Sequence, residues 1–159
     1  MGLATVERRG DAYYKSYPEG QDNLWIREMA AYNLLPWACP ELLNWGERWL
    51  ETERCVPILD LEWEASRAYI EPLRELIGKI NAAGWWHCDV SLVNVVIHYY
   101  RGVLLIDWEN LRPASSTISY DLFGARAAGV SQSVWKPHQP DGVWWGGGWK
   151  YHPATYWKL

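Results

Sequence analysis

Positive charge is in short supply in this sequence. Lys and Arg number 15 against 19 Asp and Glu, a formal net charge of −4. A nucleic-acid partner calls for a basic stripe, and none is visible, so that class is set aside. Cysteine is scarce too: Cys39, Cys55 and Cys88 stand far apart, without metal-ligand spacing. An odd, scattered set excludes a disulfide framework and reads as the reduced thiols of a cytoplasmic chain. No apolar run approaches membrane-spanning length, and the N-terminus shows no charged-then-apolar leader. Both argue against a membrane partner and against export by a signal peptide. Phenylalanine is nearly absent, one residue against 13 Trp and 10 Tyr. Aromatic packing therefore falls to side chains with a polar handle. A length of 159 residues favours one domain with a real core.

Patterning sets out the elements. Ala4 to Arg9 and Ala12 to Tyr17 read as two strands around a tight turn at Gly10-Asp11. Lys15 lies on the second strand, among Tyr13, Tyr14 and Tyr17. Asp22 or Asn23 can cap a helix that Pro36 stops, with Leu24, Ile26, Met29, Ala30, Tyr32 and Leu34 as its apolar face and Glu28 inside the run. Pro40 to Trp45 and Trp49 to Glu53 read as an antiparallel pair joined at Gly46-Glu47. Trp63 to Ala83 is helical, with the stripe Ile70, Leu73, Leu76, Ile77 and Ile80. Pro72 places the start of the main helix near Glu71, and Gly84 ends it.

The centre of the chain is the run from Trp85 to Asn110. A turn ends in His87-Cys88-Asp89, and Asn94 follows five residues after Asp89. Two apolar strands, Val95 to His98 and Val103 to Ile106, turn at Arg101-Gly102 and deliver Asp107. Two carboxylates and an amide at the base of a hairpin are a set that phosphoryl transfer requires. His87-x-Asp89-x-x-x-x-Asn94 resembles the catalytic loop of the protein kinase-like superfamily. Asp107-Trp108-Glu109 resembles its metal-binding Asp-Phe-Gly element, in a form closer to the aminoglycoside phosphotransferase and choline kinase branch. The resemblance covers about residues 5 to 128.

That resemblance implies an α+β, truncated protein kinase-like fold: a small N-terminal antiparallel sheet plus helix, and a helical C-terminal lobe with the catalytic-loop hairpin. The domain would span 1–129, with lobes of about 1–56 and 57–129. It implies ATP and Mg²⁺ as cofactors and a hydroxyl of a small molecule or protein as acceptor. Asp89 takes the catalytic-base position, and Asn94 and Asp107 those of the metal ligands. Lys15, paired with Glu28, contacts phosphate. Glu53, Cys55 and Val56 form the hinge against the base, where Pro57 offers no backbone donor. His87 is a packed scaffold residue. Asp121, in Ser119-Tyr120-Asp121-Leu122, would accept hydrogen bonds from catalytic-loop amides and hold Asp89 in place. The polar stretch from Leu111 to Thr117 corresponds to a short activation segment. Ser91 stands where protein kinases place a phosphate-contacting lysine, which weakens the argument for a protein substrate. Glu109 stands at the glycine of the family element, where it either adds metal charge or forms a salt bridge.

Two features depart from the family. Fourteen residues precede Lys15, and no Gly-x-Gly-x-x-Gly loop occurs. Such a loop supplies backbone donors and excludes water over the phosphates. From Gly129 onward periodicity is lost, and residues 130–159 form an arm rich in Trp, Gly and Pro. Disordered segments are poor in aromatics, so the arm reads as one that docks, on its own domain, on a protein partner or on a ligand such as a glycan. A phosphotransferase and an inactive kinase-fold binding or structural module, possibly part of a larger assembly, are the two classes that follow.

Overall fold

The computed structural model describes residues 4–90 and 92–114. Ser91, Asp121 and the arm at 130–159 lie outside the described residues. Strand β1 (Thr5–Arg9) turns at Gly10, whose φ of 62° suits a residue without Cβ, into β2 (Ala12–Ser16). Helix α1 (Asp22–Leu34) follows. Gln21, not Asp22 or Asn23, occupies its N-cap and makes no side-chain cap bond. Asp22 is instead the first helical residue, where a carboxylate complements the helix dipole. The buried face of α1 is Glu28, Ala31 and Tyr32, continued by Leu35 just beyond it, at i, i+3, i+4 and i+7. Ile26 and Leu34, expected on the apolar face, are about half exposed.

Strands β3 (Leu42–Gly46) and β4 (Trp49–Glu53) complete an antiparallel sheet of order β1-β2-β4-β3. After β5 (Val56–Pro57), a short α2 (Trp63–Ser66) and a 3-10 turn lead into α3 (Ile70–Ala82). Its Leu73, Leu76, Ile77 and Ile80 are buried, as their spacing predicts. Gly84, at φ 91°, ends the region. Next come β6 (Trp85–Trp86), β7 (Val95–His98), β8 (Gly102–Leu105) and β9 (Arg112–Pro113). β7 lies between β5 and β8, and β6 pairs with β9. The latter pairing was not foreseen: the stretch from Leu111 reads as a polar loop, yet Leu111 is buried and Arg112 pairs with Trp86.

The described residues are thus mixed α and β, with small antiparallel sheets. Ala31, Tyr32 and Leu35 share one hydrophobic cluster with Leu73, Ile77, Val95, Leu105 and Trp108. The N-terminal unit and one face of the hairpin therefore share a main core, while Val96 and Leu104 of the hairpin form a smaller cluster with Cys55. At one rim Arg101 adds a polar clamp, donating to the Cys39 carbonyl at 3.0 Å and pairing with Glu53. All three cysteines are buried thiols. Among the described residues, no helix is long and apolar enough to cross a membrane.

Candidate functional site

Strand alternation puts Tyr13 and Lys15 on the same side of β2, and both line a cavity of about 400 Å³. Lys15 is 9 % exposed. Its Nζ lies 3.0 Å from Glu28 Oε2, 2.7 Å from Asp107 Oδ1 and 2.9 Å from Glu109 Oε1. Burial alone would lower the lysine's pKa, but Glu28, Asp107 and Glu109 more than offset it and the net shift is upward. Glu28 is 1 % exposed, on the buried face of α1. It also accepts a 2.9 Å hydrogen bond from the Tyr17 hydroxyl. Burial pushes its carboxyl up against the pull of Lys15. The ion pair is thus buried and hydrogen-bonded on both sides, the condition under which burying a charge is tolerated.

Asp107 reaches Lys15 because the chain bends sharply off β8. Its φ is 65°, a left-handed conformation that a non-glycine residue adopts at a cost of order 1–3 kcal/mol. Neighbours on both sides hold it there. Trp108 is fully buried and donates Nε1–H to the Leu105 carbonyl at 2.9 Å. The Ile106 carbonyl meets His87 Nε2 at 2.9 Å, and the Ile106 amide donates to Asn94.

The loop bearing Asp89 is built around His87. Its Nδ1 accepts from the Asp89 amide at 3.2 Å, so Nε2 carries the hydrogen given to Ile106. The ring also packs on Trp108, centroids 4.4 Å apart. Burial lowers the His87 pKa to about 4, so it is neutral at ordinary pH. Cys88 adopts φ 68°, another left-handed non-glycine residue, directly before Asp89. Asn94 Nδ2 donates to the Asp89 carbonyl at 3.0 Å and to its Oδ2 at 3.1 Å. Burial first, and the Asp107 charge second, push half-buried Asp89 up to about 6, against the Asn94 hydrogen bond.

Lys15, Glu28, Asn94 and Asp107 all line the same cavity, with Glu53 and Cys55 on its wall. Its apolar walls come from the sheet, at Val6 and Leu50, and from the hairpin side, at Val96 and Ile106. Two hinge residues behave differently from the expectation. Val56 is 47 % exposed and pairs with Ile97 in β5. Glu53 lines the wall, but its carboxylate is engaged by the Glu41 amide at 2.7 Å, His98 Nε2 at 3.1 Å and Arg101. Burial pushes its pKa up, and these partners hold it below the usual value all the same. The amides of Glu53 and Arg54 are committed as well, to the carbonyls of Glu41 and Asp11.

Glu28, Asp107 and Glu109 each bring a carboxylate oxygen within 4.8 Å of the others, a set that can hold a metal ion. Asn94 is 5 % exposed, and among the described residues nothing donates to its Oδ1. A buried carbonyl oxygen beside carboxylates is the donor chemistry of a hard divalent cation. Sequence reasoning missed Tyr17 as the second anchor of Glu28. Its place two residues after Lys15, where the strand's alternation carried one residue past β2 returns to the same side, was the available signal. No protein-family model matches the chain, and no curated protein matches it.

Proposed function

We propose that this chain is a small phosphotransferase of protein kinase-like fold. It would take a nucleoside triphosphate with Mg²⁺ and move the γ-phosphoryl group to a hydroxyl of a small molecule or protein. One observation carries the reading: an apolar slot has a lysine, carboxylates and an amide gathered at one end. Apolar walls suit a flat base, and the polar end suits its phosphates. Base contact at the 53–56 edge falls to Cys55, since its neighbours are otherwise engaged. Lys15, fixed by Glu28, neutralises phosphate charge. Asn94 and Asp107 are the residues that would hold Mg²⁺, with Glu109 beside them; a bound ion supplies charge against the phosphate oxygens.

Asp89 serves as the base. It takes the acceptor's hydroxyl proton as that oxygen bonds to the γ-phosphorus and the bond to the β–γ bridging oxygen breaks. The products are a phosphate ester and a nucleoside diphosphate, and the proton leaves Asp89 for solvent. A base must be ionised, so the rate of transfer should fall as pH drops through about 6, the value to which burial raises Asp89. A pH–rate profile flat down to pH 4.5 would remove Asp89 from this role.

Thermal denaturation tests the reading directly. ATP with Mg²⁺ at a hundred times its dissociation constant should add about 2.7 kcal/mol of stability. The gain should vanish with chelator and in Asp107→Asn. No gain at millimolar ATP would sink the nucleotide reading.

A binding module that keeps the fold without transfer is favoured by one feature. Arg9 pairs with Ala12 across the two-residue turn Gly10-Asp11, so a tight hairpin precedes Lys15 in place of a glycine-rich loop. Mg²⁺-dependent ATP binding, with no phosphorylation of any hydroxyl compound offered, would select it.

A further inference from the structure

Among the described residues lining the cavity, Lys15 is the one cation, and it is saturated. A lysine ammonium has three N–H donors. Three carboxylate oxygens, from Glu28, Asp107 and Glu109, stand within 3.0 Å of its Nζ. A phosphate oxygen can reach Lys15 only by displacing one of them.

The three are not equal. Glu28 is 1 % exposed and pinned by Tyr17. Asp107 is fixed by its strained backbone between Ile106 and Trp108. Asp107 and Glu109 each pair with no residue besides Lys15 among the described residues, their side chains 37 % and 21 % exposed. But Asp107 has a short side chain on a constrained backbone position, whereas Glu109 has one more rotatable bond and is the one that can swing off Lys15. Its backbone is held separately, by Arg27 on its carbonyl at 3.4 Å. The side chain can therefore leave Lys15 while the chain stays in place. One ammonium facing three carboxylates also leaves the cluster net negative, which opposes a bare polyphosphate.

We propose that Glu109 makes nucleotide binding at this site conditional on a divalent cation. It holds the face of Lys15 that phosphate must take, and releases it when the cation offers Glu109 a better partner. Glu109 is in this sense the residue that selects the metal-bound nucleotide over the free one. The inference rests on the nucleotide reading of the cavity and assigns its regulation.

Calorimetric titration of ADP tests it, in excess MgCl₂ and in EDTA, on the wild type, Glu109→Gln and Glu109→Ala. Both variants remove a charge from a net-negative cluster, and their melting temperatures report folding beforehand. The wild type should bind ADP with Mg²⁺ and lose affinity about 100-fold or more in EDTA. In both variants the affinity in EDTA should rise about tenfold or more, while the affinity with Mg²⁺ should fall, because the cation loses a carboxylate partner. If the wild type binds Mg·ADP and the variants keep its full EDTA penalty, the assignment of Glu109 fails and the nucleotide reading stands. If the wild type binds ADP in neither buffer, the nucleotide reading fails and takes the inference with it.

Discussion

Replacing Lys15 by methionine should destabilise the protein by about 3–5 kcal/mol, the range for removing one partner of a buried ion pair. The chain length of methionine fills most of the lysine's space, so the loss is electrostatic rather than a cavity effect. Glu28 would be left almost wholly buried, with Asp107 and Glu109 close by and no cation among them. For a chain of this size each kcal/mol lowers the melting temperature by about 2–4 °C, so a drop of about 10 °C is expected. The pH dependence separates this cause from simple misfolding. In the variant Glu28, which burial already pushes up, loses the lysine that pulls it down, so its folded-state pKa lies further above its unfolded one. Such a group binds a proton preferentially in the folded state, so the deficit should shrink as pH falls through that raised value. The double change Lys15→Met with Glu28→Gln should recover part of the loss, because the amide still accepts from Tyr17. A single-variant loss below about 1 kcal/mol would mean that Lys15 and Glu28 are not the buried pair described.

Trp108→Ala should cost a similar amount, about 3–5 kcal/mol, for a different reason. Trp108 is the largest fully buried side chain among the described residues and sits in the main hydrophobic cluster. Its removal opens a cavity, withdraws the ring packed on His87 and leaves the Leu105 carbonyl without its indole donor. Trp108→Phe keeps most of the volume but loses the donor and part of the ring, so about 1–2 kcal/mol is expected there. Urea denaturation of the two variants gives the comparison. Equal losses would show that the ring's volume contributes little, against the core position assigned to it. Trp108 also helps hold Asp107 at positive φ, so the alanine variant should lose more ligand-dependent stabilisation than the phenylalanine one.

Much of the fold was legible from local pattern. The stripe on α3 was readable because leucine and isoleucine recur at helical spacing and the burial agrees. The hairpin of β7 and β8 was readable because two apolar runs flank Arg101-Gly102. Helix α1 was the harder case. Its buried face is centred on Glu28, and a pattern that counts glutamate as polar rotates the apparent stripe toward Ile26 and Leu34, which are exposed. The partner that makes Glu28 buriable lies 13 residues earlier, on a strand. The short pairing of β6 with β9 was illegible for a related reason. Two-residue strands have no period, and only the fold brings Trp86 beside Arg112.

The site shows the same division. Lys15, Glu28, Asn94 and Asp107 could be chosen from order and motif, and they line one cavity. Glu53 and Val56 could not be sorted from Cys55 by position in the chain. What separates them is a tertiary fact, the reach of Arg101 and His98 from the hairpin to the Glu53 carboxylate.

That reach also makes the cavity lopsided. On one rim, the hairpin is tied to the Cys39 carbonyl and to Glu53 by Arg101. On the other stands β1, an edge strand exposed at every position, with Val6 on the wall and 59 % exposed. A bound molecule should come and go past β1, and the fraying of that strand, rather than any opening of the clamped rim, should set its residence time.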